Sequence, residues 1–90
     1  MICRVAIHEK LESVTADDNA RAKQFRDWIK QQPGFAAGYH AQDPQTGKTM
    51  SITFWHSMEE MTALKDRTPP GGPVGLKPTS VQVFSVVEEF

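Results

Sequence analysis

Ninety residues suffice for one small domain, residues 1–90, and not for two. Ten basic against eleven acidic side chains leave a formal net charge of −1, which argues against the clustered basic face that nucleic-acid and membrane-surface proteins need. Apolar residues make up 39% of the chain, with two Trp and five Phe, enough for a packed core and too many for wholesale disorder.

Residues 2–9 alternate and are rich in Ile and Val, the pattern of a half-buried strand. Cys3, Val5 and Ile7 form one face; Ile2, Arg4, Ala6 and His8 form the other. This N-terminal stretch is too short and too polar for a signal peptide, and no stretch of the chain approaches about 18 apolar residues. A soluble cytoplasmic domain is expected. Cys3 is the one cysteine, so an internal disulfide and a Cys-x-x-Cys metal knuckle are excluded.

Thr15, Asp17, Asp18 and Asn19 offer N-caps and the acidic first turn that a helix dipole favours. Ala22, Phe25, Trp28, Ile29 and Gln32 then recur at helical spacing as a stripe for burial, and Pro33-Gly34 ends the helix. Residues 35–42 and 48–56 read as a hairpin around Asp43-Pro44-Gln45-Thr46-Gly47, with Pro opening the turn and Gly supplying a positive φ. With Gln42 opposite Thr49, Phe35, Ala37 and Tyr39 share a face with Ile52 and Phe54. Ala36, Gly38 and His40 lie with Ser51, Thr53 and Trp55 on the other.

Ser57-Met58-Glu59-Glu60 is a capping box, Ser-x-x-Glu, and opens a shorter second helix carrying Met58, Met61 and Leu64 on one side. Residues 67–79 hold four of the six prolines and read as a loop or lid. Residues 80–87 alternate again as a last strand. The order β-α-β-β-α-β predicts an α+β ferredoxin-like plait, a four-stranded antiparallel sheet with two helices on one face. The other face, expected to carry Phe84 and Trp55, has no element to cover it. A chain this short buries only roughly 60–65% of its unfolded surface, so pairing with a second copy through that face is the natural remedy.

Pro33-Gly34-Phe35 before the hairpin, and Ile52-Thr53-Phe54-Trp55-His56-Ser57-Met58-Glu59-Glu60 after it, resemble the antibiotic-biosynthesis-monooxygenase-like proteins of the dimeric α/β-barrel group. The resemblance covers residues 2–66 well and the last strand adequately. It implies a homodimer whose two sheets form a shared barrel, with a ligand pocket between sheet and helices. Some members oxidise polycyclic aromatics or quinols without a cofactor, some degrade haem, and others have no established activity. The haem-degrading branch needs an Asn near the end of strand one, a Trp on helix two and a later His. This chain has Ile7-His8-Glu9, Leu64 and no His beyond Leu64, so haem degradation is not expected.

Cofactor-free oxidation needs a dry aromatic pocket, a base and donors for a developing oxyanion. His8 and Tyr39 are the candidate catalytic residues, with His8 as base. Arg4, Phe25, Trp28, Trp55 and His56 are the candidates for holding an apolar aromatic molecule, Phe25, Trp28 and Trp55 as walls and Arg4 as anion-holding group. Each also has a plainer reading. His8 is a strand-end residue at the solvent, the aromatics are packing, and Arg4 is half of a salt bridge with Glu88 or Glu89. His8 and His56 close the two central strands, taken to run parallel, and so are expected at one sheet edge, with His40 at the other. His8 and Trp55 fall on the same sheet side. A pair of histidines with Glu9 or Glu59 matches no facial triad or HExxH spacing, so neither a metal nor another cofactor is expected. The alternative to an enzyme is a non-catalytic small-molecule-binding or interaction module of the same fold.

Overall fold

The computed structural model describes residues 1–9, 16–69 and 78–90. Thr15 as a helix cap, and most of the Pro/Gly-rich loop, lie outside the described residues. The elements follow in the predicted order: β1 (Ile2–His8), α1 (Ala16–Ile29), β2 (Phe35–Gln42), β3 (Thr49–Trp55), α2 (Met58–Thr62), a 3-10 turn (Ala63–Asp66) and β4 (Ser80–Ser85). Asp17 and Asp18 occupy the first turn of α1. After Ile29 the chain tightens, with Gln31 N–H donating to the Trp28 carbonyl and Gln32 N–H to that of Ile29.

The sheet order is β2-β3-β1-β4. All three pairings are antiparallel, so the ferredoxin-like α+β plait is present. β1 and β3 therefore do not run parallel, contrary to the sequence-based expectation. A β-α-β unit whose two strands admit a third between them makes that third strand antiparallel to both. Ile2 pairs with Trp55, and His8 with Thr49.

The hairpin turn follows its chemistry. Asp43 Oδ1 accepts the backbone N–H of Gln45 at 2.8 Å, Gly47 N–H donates to the Asp43 carbonyl at 2.9 Å, and Gly47 has φ +76°. Gln42 does pair with Thr49, and Tyr39 with Ile52. A bulge between Phe35 and Ala37 moves Phe35 opposite Trp55, so Phe35 leaves the face it was expected to share with Tyr39.

The register sorts the sheet into two faces. On the helix side, successive cross-strand rows read Ser85, Ile2, Trp55, Phe35; then Val83, Arg4, Thr53, Gly38; then Val81, Ala6, Ser51, His40; then His8, Thr49, Gln42. Ala6 and Trp55, at 3% and 0% exposure, mark this face as covered. Trp55 thus belongs to the helix side, not to the uncovered face. That open side carries Cys3, Val5, Ile7, Met50, Ile52, Phe54, Tyr39 and Phe84, the last two 64% and 50% exposed. No residue of α1 is fully buried. Its expected stripe of Phe25, Trp28 and Ile29 is half-buried, because a single helix leaves one flank of such a stripe at the solvent.

Candidate functional site

Two groups of residues on the helix side matter, one at each end of the strands. At the first, Trp55 is fully enclosed. Its indole N–H donates to Thr53 Oγ1 at 3.0 Å, and its ring meets Phe35 edge-to-face with centroids 5.4 Å apart. The Phe35 ring lies over Gly38, where a Cβ would stand 3.0 Å from its Cζ. The Gly34 carbonyl accepts the His56 N–H at 2.8 Å, and Gly34, at φ +85°, sits so close to Glu60 that a Cβ there would collide with that side chain. Ser57 caps α2, its Oγ accepting the Glu60 N–H at 3.2 Å and donating to Glu60 Oε1 at 3.0 Å. The Pro-Gly-Phe and Trp-x-Ser segments therefore meet in space and brace one another. They are structural.

The second group lies further along the same face. Arg4 is half-buried in mid-strand, flanked across the sheet by Thr53 and Val83. Among the described residues its side chain makes no ion pair and no hydrogen bond, with the anticipated partners Glu88 and Glu89 included in that, whereas Lys23–Asp27, Lys30–Asp27 and Lys48–Glu9 are ion-paired. Burial pushes its guanidinium below its ordinary value. Arginine nonetheless stays charged at neutral pH.

One row further, His40 stands beside Ser51, with Nδ1 3.4 Å from Oγ. Burial, then the charges of Arg26 on α1 and of His8, hold its imidazole below the ordinary value. His8 follows in the next row, so His8 and His40 share an edge instead of lying at opposite ones. The signal in the sequence was the hairpin register itself, which already set His40 opposite Ser51.

The other predicted site residues are not gathered here. His56 is exposed at the far end of β3, about 20 Å of strand from His8, so the two cannot share a metal with Glu9 or Glu59. Among the described residues no cluster of three metal-ligating side chains occurs. Tyr39 faces the open side, stacked edge-on against Phe54 at 6.3 Å, and the sheet separates it from His8. Phe25 and Trp28 form a tilted pair on α1, 5.8 Å apart. Trp55, with no exposed surface, is consumed in packing. Cys3, half-buried on the open side, has a thiol raised by burial, the opposite of an activated nucleophile. A shallow hollow lies on the open side, between Ile7, Ala41 and Met50 at the hairpin end.

No protein-family profile matches the chain, and no curated protein is similar to it in sequence. Solved structures do share the fold. A candidate antibiotic biosynthesis monooxygenase from Deinococcus radiodurans superposes with a TM-score of 0.62 at 18% identity, over 100% of this chain and 96% of its own. SnoaB, a cofactor-independent oxygenase from Streptomyces nogalater, gives 0.65 at 14% identity over 98% and 91%. A haem-degrading protein from Mycobacterium tuberculosis gives 0.56 at 19% identity over 100% and 99%. These neighbours agree with the resemblance read from the Pro-Gly-Phe and Trp-x-Ser segments. At such identities they establish the fold, which hosts several chemistries.

Proposed function

We propose that the chain is a monooxygenase-like protein that oxidises an aromatic or quinol-type molecule without a cofactor, on the helix side of its sheet. The observation that carries this reading is the sharing of one sheet face by Arg4, His40 and His8, in a fold also used by a cofactor-independent oxygenase. His8 is the base, Arg4 the polar anchor, and Phe25 with Trp28 the aromatic wall. Trp55 supports the site from beneath, and Tyr39 serves the open side.

In the proposed reaction His8 removes a proton from an activated C–H or O–H of the substrate. The resulting anion passes one electron to O₂, and the radical pair recombines at carbon as a hydroperoxide. Loss of water then leaves a carbonyl. A CH₂ becomes C=O, one oxygen atom of O₂ enters the product, and the other departs as water with the two hydrogens. Haem degradation is not proposed, since Ile7-His8-Glu9 lacks the Asn, Leu64 stands in place of the Trp and no His follows it.

The test is oxygen uptake by the purified, metal-stripped protein against anthrones, hydroquinones and reduced naphthoquinones. Uptake above the protein-free rate, lost in His8→Ala with the fold intact, is the expected result. Full turnover by His8→Ala would remove His8 as base. A panel that binds without any uptake would leave the non-catalytic binding module.

The protein is further proposed to work as a homodimer through its open side. Exposed Tyr39 and Phe84, with the half-buried Val5, Ile52 and Phe54, form an apolar surface suited to a second copy. Sedimentation equilibrium should give twice the 10.1 kDa chain mass. A monomer at micromolar concentration would overturn this.

A further inference from the structure

The last strand of the sheet is the least covered. β4 ends the order β2-β3-β1-β4, so no described strand lies along its outer edge. Ala6 and Val81 are neighbours in one row of the helix-side face, yet Ala6 is 3% exposed and Val81 43%. Val83 is 41% exposed on that side, and Phe84 projects on the other. The helix layer therefore stops short of β4.

The hydrogen-bond parity of the ladder fixes which groups this edge presents. Val86 N–H donates to the Met1 carbonyl at 2.9 Å, in step with the register that pairs Ser85 with Ile2. Bonded and non-bonded pairs alternate in an antiparallel ladder, so Ser80, Gln82 and Phe84 likewise direct their backbone groups at β1. Val81, Val83 and Ser85 direct theirs outward. On β2 the same alternation, counted from the Asp43–Lys48 bond, turns Gly38, His40 and Gln42 outward. The two free edges are guarded differently. β2 bends at the bulge between Phe35 and Ala37 and carries an imidazole. Residues 80–87 read Ser-Val-Gln-Val-Phe-Ser-Val-Val, without a charge, Pro or Gly to blunt strand addition.

The β4 edge is also complementary to itself. With Val83 opposite its own counterpart in a second copy, Val81 falls opposite Ser85, and every outward residue of β4 meets another. A register centred on Gln82 would call on Thr79, whose N–H is already held by the Ile7 carbonyl at 2.7 Å. Centred on Val83, the pairing opposes no like charges within 80–87, and the exposed valines of both copies cover one another on the helix side. We infer that β4 is a strand-pairing edge whose partner is β4 of a second copy, joined antiparallel about Val83 into one continuous sheet. This contact joins edges, whereas the open-side homodimer joins faces, and it stands whether or not that homodimer forms. It is short, and so depends on concentration.

The experiment is amide exchange with water, read residue by residue by nuclear magnetic resonance on the intact, isotope-labelled protein. Between about 20 µM and about 1 mM protein, exchange at Val81, Val83 and Ser85 should slow on the order of fivefold, as pairing occupies their N–H groups. Gly38, His40 and Gln42 should exchange alike at both concentrations. Val83→Lys sets two ammonium groups opposite one another and should abolish the slowing, whereas Val83→Thr should keep it. Unchanged exchange at the three β4 amides would overturn the inference. Slowing at Gly38, His40 and Gln42 as well would also overturn it, because the partner strand would then be β2. So would slowing that persists in Val83→Lys. The wild-type comparison needs no variant, so a folding defect cannot hide the answer. A face-to-face homodimer alone leaves the outward β4 amides unbonded at every concentration, so failure here leaves that reading intact.

Discussion

The two ends of one sheet face are built to opposite specifications. At the end where Ile2, Trp55 and Phe35 line up, the Trp55 indole N–H and the Ser57–Glu60 cap are hydrogen-bonded and the largest side chain has no exposed surface. At the other, Arg4 has no ion-pair partner among the described residues, and His40 stands beside Ser51 within the field of Arg26. The first end lowers the free energy of the fold. The second spends some of it, which is how binding and catalytic surfaces are commonly recognised.

That contrast is most sharply broken by deletion at each end. Trp55→Ala should cost about 3–5 kcal/mol, because a fully enclosed indole leaves a cavity walled by Phe35 and Thr53. His8→Ala, half-buried at a strand end, should change stability by no more than about 0.5 kcal/mol. Urea denaturation of both variants measures the pair. Equal costs would mean that the two ends are not divided between folding and function at all.

The braced end was far more legible in the sequence than the polar one, for physical reasons. Ser57-x-x-Glu60, Asp43-Pro44 with Gly47, and Gly34 after Pro33 are local devices whose geometry is decided within a few residues. Strand alternation likewise sorted Arg4 from Val5 correctly. What alternation cannot state is which face becomes covered, so Trp55 was assigned to the open side. One inserted residue at Ala36 was enough to turn Phe35 over. Placing the histidines needed the direction of β3 relative to β1, a property of the topology and not of any segment. Taking those strands as parallel put His8 beside His56, whereas the antiparallel ladder sets it beside His40. Tyr39 was drawn to the site by its chemistry alone, and the hairpin register carries it to the opposite face.

The smallest expected effect concerns the polar end itself. His40 is held below its ordinary value first by burial, then by the charge of Arg26 on α1, then by that of His8 on β1; Ser51 on β3 is its neutral neighbour. A histidine whose folded value is depressed binds its proton more readily in the unfolded chain. Its contribution to stability is therefore intact above the ordinary imidazole value of about 6.5, and is lost as pH falls from there through the folded value. Arg26→Gln removes one of the charges and leaves the burial. The His40 midpoint, followed by its imidazole proton resonances, should rise part of the way toward the ordinary value, and the acid-side loss of stability should shrink with it. His8→Ala should move the same resonance in the same direction by less. A midpoint indifferent to both substitutions would show that the two imidazoles and the helix cation do not share one electrostatic environment, and the polar end would then be a row of independent surface residues.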